Sequence, residues 1–122
     1  MTGGLSGRRI LVVEDEPIIA MALEDMLRDL DCIVVGPALR LDEAESRART
    51  EPLDGAILDV NLGDGPTFSV AEILAARGVP FCFSTGYGAS VIPARFESAA
   101  VLQKPYRREA LALHLGNCLA SG

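Results

Sequence analysis

With 122 residues, 49% of them hydrophobic, the chain has material for one core without staples and no room for a second domain. A formal charge of −6, with Arg8-Arg9 and Arg107-Arg108 as the basic pairs, excludes a surface built to hold nucleic acid. Three cysteines, Cys32, Cys82 and Cys118, are odd in number and are expected as buried, reduced thiols of a cytoplasmic protein, and the short apolar run after Arg8-Arg9 is too brief for a leader or a membrane span.

Residues 1–7 are rich in glycine and are expected to form a flexible tail ahead of a single domain over 8–120. Ile10 to Val13 is a β-branched run that stops at Glu14-Asp15-Glu16, the pattern of a central strand ending at acids. Pro17 then opens a helix in which Ile19, Leu23, Met26, Leu27 and Leu30 fall at steps of three and four, leaving Glu24, Asp25, Arg28 and Asp29 for water. Cys32 to Val35 is a second strand that Gly36-Pro37 should close, and Leu41 to Thr50 follows as a short, highly charged helix, expected to be the most exposed.

Gly55 to Leu58 is an apolar run suited to a strand covered on both faces, ending at Asp59 before the polar, glycine-rich turn Asn61 to Pro66. Pro66 is the expected start of a third helix with Phe68, Ala71, Leu74 and Ala75 inward, stopped at Gly78. Val79 to Ser84 is the fourth strand. Ala89 to Phe96 contains Pro93 and no clean period, so it is expected to be short, irregular and mobile. Ala99 to Leu102 is the fifth strand, stopped at Lys104-Pro105, and Arg107 to Leu119 is a closing helix with Leu111, Leu115 and Leu119 on one face. No repeat and no linker interrupts this alternation. It predicts an α/β fold with right-handed crossovers: a doubly wound, five-stranded parallel sheet of order 2-1-3-4-5 in a three-layer sandwich. In that order the ends of strands one and three meet at the switch point, where open α/β sheets place their ligands.

Glu14, Asp15 and Asp59 should therefore converge. Three unpaired carboxylates repel, and a hard cation relieves them; an oxygen-only set suits Mg2+. Asp15 and Asp59 are expected as direct ligands, the carbonyl of Asn61 as a third, and Glu14 as a ligand through water. The same acids also suit the start of a helix, where the dipole favours them. Thr85 closes the fourth strand and Lys104 the fifth, at the same sheet edge; each is also an ordinary turn residue. Taken together, a carboxylate nucleophile, a cation, a hydroxyl and an ammonium around one point suit phosphoryl transfer.

Val12-Val13-Glu14-Asp15-Glu16-Pro17, Asp59-Val60-Asn61-Leu62, Ser84-Thr85-Gly86 and Lys104-Pro105 resemble, in order and spacing, the four signatures of the bacterial two-component response-regulator receiver domain. The resemblance implies a flavodoxin-like and CheY-like fold and a phosphoacceptor role for Asp59. The donor it implies is a sensor histidine kinase or a histidine phosphotransfer protein, with Thr85 and Lys104 holding the phosphoryl oxygens. It implies a signalling module rather than an enzyme, capable only of self-phosphorylation and autodephosphorylation, without an output domain and acting through protein contacts as a monomer or weak dimer. The family's aromatic switch on the last strand is replaced here by Val101. Phe83-Ser84-Thr85-Gly86-Tyr87 resembles single-domain receivers marked by Phe-Ala-Thr-Gly, a hydrophobic residue and Tyr, with departures at Ser84 and in the place of Tyr87. Rearrangement of 86–96 is expected to report phosphorylation instead, and Asn61 and Tyr87, two places after Asp59 and Thr85, are expected to gate water. His114 is expected as an ordinary residue of the last helix. The competing readings are a magnesium-dependent phosphohydrolase, which wants an acid where Asn61 stands, and a flavodoxin-like cofactor binder, whose phosphate the acidic first loop would repel.

Overall fold

In the computed structural model, which describes residues 5–86, 92–96, 99–104 and 107–121, the β-branched run Arg9–Val13 is the central strand β1. Ile33–Ala38 forms β2, Gly55–Asp59 β3, Phe81–Thr85 β4 and Ala100–Gln103 β5. All pairings in this sheet are parallel, and the strand order is 2-1-3-4-5, as the alternating pattern predicts. Among the described residues, four α-helices cover it: α1 over Pro17–Asp29, α2 over Leu41–Thr50, α3 over Phe68–Ala76 and α4 over Arg108–Ser121.

Alternation along each strand sends neighbouring side chains to opposite faces, and the two faces carry separate cores. Ile10, Val12, Ile57, Cys82 and Leu102 meet Leu23 and Leu27 of α1 and Leu111 and Leu115 of α4. Leu11, Val13, Ala56, Leu58 and Phe83 meet Ala44 and Ala48 of α2 and Val70, Ala71 and Leu74 of α3. Leu111 and Leu115 are fully buried, and each contributes roughly 1.5 to 3 kcal/mol by leaving water. α2 turns only Ala44 and Ala48 fully inward, consistent with its charged sequence. Among the described residues, no helix is long and apolar enough to cross a membrane.

Several local expectations are corrected. Gly36-Pro37 does not end β2, which runs on to Ala38 with a register shift against β1. β2 is an edge strand, where a proline's missing donor is tolerated, and Gly36 at φ 103° takes a conformation open to glycine, its absent Cβ sparing a 2.9 Å clash with the Val12 carbonyl. Pro66 does not start α3. Asn61–Leu62 and Gly65–Pro66 pair instead as a two-stranded antiparallel hairpin, and the helix begins at Phe68 with Val70, rather than Ala75, in its buried stripe. Residues 5–7, placed in the flexible tail, are fastened: Leu5 is buried among Leu27 and Leu30, and the Gly7 amide donates to the Asp31 carbonyl at 2.8 Å. Cys32 and Cys82 are buried as expected, whereas Cys118 is half-buried.

The stretch after β4 is corrected in part. Ala94–Phe96 forms a single 3₁₀ turn, and Phe96 is buried in a cluster of four phenylalanine rings with Phe68, Phe81 and Phe83. It is therefore anchored rather than mobile; residues 87–91 lie outside the described residues.

Candidate functional site

The sheet's C-terminal edge collects the side chains that the sequence singled out. Val12, Ile57 and Leu102 belong to the α1/α4 core, so strand alternation directs Glu14, Asp59 and Lys104, two residues further along each chain, to the same face. Glu14, Asp15 and Asp59 each present a carboxylate oxygen within 4.8 Å of the others. Asp59, Asn61, Thr85 and Lys104 line a cleft of about 400 Å³ beside them.

Glu14 is only 2% exposed, and both of its oxygens are used. One accepts from the Glu16 amide at 3.1 Å and the other from Lys104 Nζ at 2.9 Å, which is how a buried charge is tolerated. The same ammonium lies 3.4 Å from Asp59 Oδ2. It reaches across from the end of β5, where the Lys104 amide donates to the Thr85 carbonyl at 2.8 Å. Burial by itself would lower the Lys104 pKa, but the hydrogen bond to Glu14 and the charges of Asp59 and Glu14 outweigh it and hold the ammonium above its ordinary value. Asp59 is pushed up to about 6, by burial first and then by the neighbouring charge of Glu14, with Lys104 pulling the other way. Asp15 is half-buried and its Oδ2 accepts from the Gly63 amide at 2.8 Å.

Asn61 is exposed at the start of the hairpin, and Thr85 is buried at the end of β4. Val101 does not reach this edge: it is half-buried opposite Phe83 and lines a separate groove with Gln103, Arg107 and His114. Tyr87 lies outside the described residues. Thr67 escaped the sequence analysis, and Ser84 figures there only within a motif and as a departure from another. Thr67, fully buried just before α3, donates its hydroxyl to the Asp59 carbonyl at 2.6 Å; a threonine before an apolar helical run is the available signal, although here it latches the strand end instead of capping the helix. Ser84, opposite Asp59 in the β3–β4 register, has a buried hydroxyl with no partner among the described residues.

A carboxylate with a raised pKa, an ammonium bridging two acids and an oxygen-only cluster make a site fit to receive a phosphoryl group and the hard cation that accompanies one. A family model described as the response regulator receiver domain matches residues 10–115. The phyllosphere-induced regulator PhyR of Methylorubrum extorquens is 36% identical over 107 residues, 80% of this chain and 38% of that protein. The transcriptional regulatory protein PdtaR of Mycobacterium tuberculosis is 33% identical over 103 residues, 81% of this chain and 50% of that protein. The chain thus spans half the length or less of these relatives. In solution, SdrG from Sphingomonas melonis Fr1 is 42% identical, with 96% of this chain and 98% of that chain covered at a TM-score of 0.82.

Proposed function

Because the chain belongs to the response regulator receiver domain family of two-component systems, we propose that Asp59 accepts a phosphoryl group from a sensor histidine kinase or a histidine phosphotransfer protein. An Asp59 carboxylate oxygen attacks phosphorus, an O–P bond forms, and the donor's P–N bond breaks with its electron pair leaving on the imidazole. Lys104, already 3.4 Å from Asp59, meets the incoming phosphoryl oxygens, and Thr85 at the end of β4 contributes its hydroxyl. Asp15 and Asp59 would hold Mg2+ directly, with the Asn61 carbonyl, while Glu14 acts through water. When bound, that ion supplies the positive charge against which phosphoryl oxygens gather. The donor set fits it, being entirely oxygen, with its three carboxylates held within 4.8 Å of one another.

The observation that carries this reading is the convergence of Glu14, Asp59 and Lys104 from three separate strand ends. Output runs through protein contacts in the cytoplasm, by a monomer or weak dimer, with Asn61 and Tyr87 setting access of water to the phosphoryl group. Val101 leaves the aromatic switch position empty of a ring, and we assign the reporting role to the 86–96 stretch, which Phe96 anchors at its far end.

Incubation with acetyl phosphate and Mg2+, followed by intact mass, tests the assignment. The wild-type chain should gain one phosphoryl group and Asp59→Asn none. Labelling of Asp59→Asn at the wild-type rate would refute it, and steady release of free phosphate from small substrates would favour the phosphohydrolase instead.

A further inference from the structure

Asp64 sits in the turn of the hairpin, where the sequence gives it no task beyond solvation. In the structure both of its carboxylate oxygens accept from one amide, that of Leu41, at 3.3 and 3.1 Å. Leu41 is the first residue of α2, and Arg40, in the cap position, makes no side-chain capping bond. The first amides of a helix are otherwise unsatisfied donors at the positive end of its dipole. Asp64 supplies the missing acceptor from 23 residues away and so fastens the hairpin to α2. The preceding residue faces the other way: the Gly63 amide donates to Asp15 Oδ2 at 2.8 Å.

We propose that Asp64 is a positioning residue for the cation-binding carboxylate. By holding the hairpin on α2 it holds the Gly63 amide against Asp15, and that hydrogen bond fixes the Asp15 carboxylate toward Glu14 and Asp59. The inference rests on the reading of Asp15 as a magnesium ligand. Its physical basis is the mutual repulsion of three carboxylates within 4.8 Å: an Asp15 side chain without a fixed donor swings toward water, and a cation must then reorder it.

Titration of the full chain with Mg2+, followed by backbone amide resonances, tests this in wild type, Asp64→Ala and Asp64→Asn. Asparagine keeps an acceptor for the Leu41 amide but removes the charge. Wild type and Asp64→Asn should bind within about twofold of each other, whereas Asp64→Ala binds roughly five- to tenfold more weakly, the affinity ratio of one lost hydrogen bond. In cation-free Asp64→Ala the Gly63 amide resonance should move upfield as it loses its acceptor, a readout available without any metal. Unchanged affinity in Asp64→Ala overturns the inference while leaving the magnesium reading intact. Equal weakening in Asp64→Ala and Asp64→Asn also overturns it, since charge alone would then account for the effect. Absence of Mg2+ uptake by wild type sinks the reading and the inference with it.

Discussion

Asp59→Asn should make the metal-free protein more stable at neutral pH, although it removes the residue on which the chemistry turns. Asp59 rises from its ordinary 3.8 to about 6, because burial and Glu14 disfavour its charge more than Lys104 supports it. A carboxyl with a higher pKa in the folded than in the unfolded chain binds its proton more tightly when native. Its contribution to stability is whole below 3.8 and is lost as pH rises through about 6. The interval corresponds to roughly 3 kcal/mol, and with solvent at the open mouth of the cleft screening part of it, about 2 kcal/mol is expected. Asparagine mimics the protonated form in shape and charge. In EDTA at pH 7.5 the variant should melt about 6 to 10 °C above wild type. The gap should narrow steadily between pH 7 and pH 4, and Mg2+ should narrow it at pH 7.5 by stabilising wild type alone. Urea unfolding of both proteins across that range measures the difference directly. A variant no more stable than wild type at pH 7.5, or a gain independent of pH, would refute the electrostatic account of the site.

Two further substitutions probe the supports of Asp59. Lys104→Met takes from Glu14, 2% exposed, its ammonium partner, and should cost about 2 to 4 kcal/mol at pH 7 in urea unfolding; a loss below about 0.5 kcal/mol would mean that the ion pair does not persist in solution. Thr67→Val keeps the side chain's volume but deletes the hydroxyl bound to the Asp59 carbonyl, and should cost about 1 to 2 kcal/mol in thermal melts, whereas equal stability would show that the latch is unimportant.

What the sequence made legible was whatever a strand or helix writes into its own residues. The apolar runs before Glu14, Asp59 and Lys104 end abruptly at charge, so the strand ends and their meeting point followed from pattern and topology alone. The parts that escaped are side-chain to backbone contacts between distant segments. Gly63 finds Asp15 across 48 residues and Asp64 finds Leu41 across 23, and nothing local marks either pairing. Gly36-Pro37 carries the usual terminator signal, but an edge strand bonded on one side has no need of the proline's donor. Phe96 was obscured because Pro93 and the glycines erase periodicity, whereas a single large ring is enough to anchor a segment.

Strand alternation also sets the acidic site apart from the aromatic cluster. Val12, Ile57 and Leu102, two residues before Glu14, Asp59 and Lys104, belong to the α1/α4 core, whereas Phe83, two residues before Thr85, belongs to the α2/α3 core; Thr85 itself lines the cleft beside Asp59 and Lys104. Phe83 lies edge-on to Phe96 at 5.7 Å and to Phe68 at 5.9 Å, and Arg95 stands 4.9 Å above the Phe96 ring while pairing with Glu72 of α3. At the end of β4 the acidic site and the aromatic cluster are joined by consecutive residues, Phe83 packed among the rings and Ser84 opposite Asp59. The rings around Phe83 are close-packed and have few alternative arrangements, while Val101, half-buried opposite Phe83, adds no ring to them. Under the proposed reading, a phosphoryl group on Asp59 should shift the amide resonances around Phe68, Phe83 and Phe96 more than those of β5, and larger shifts along β5 would refute that route.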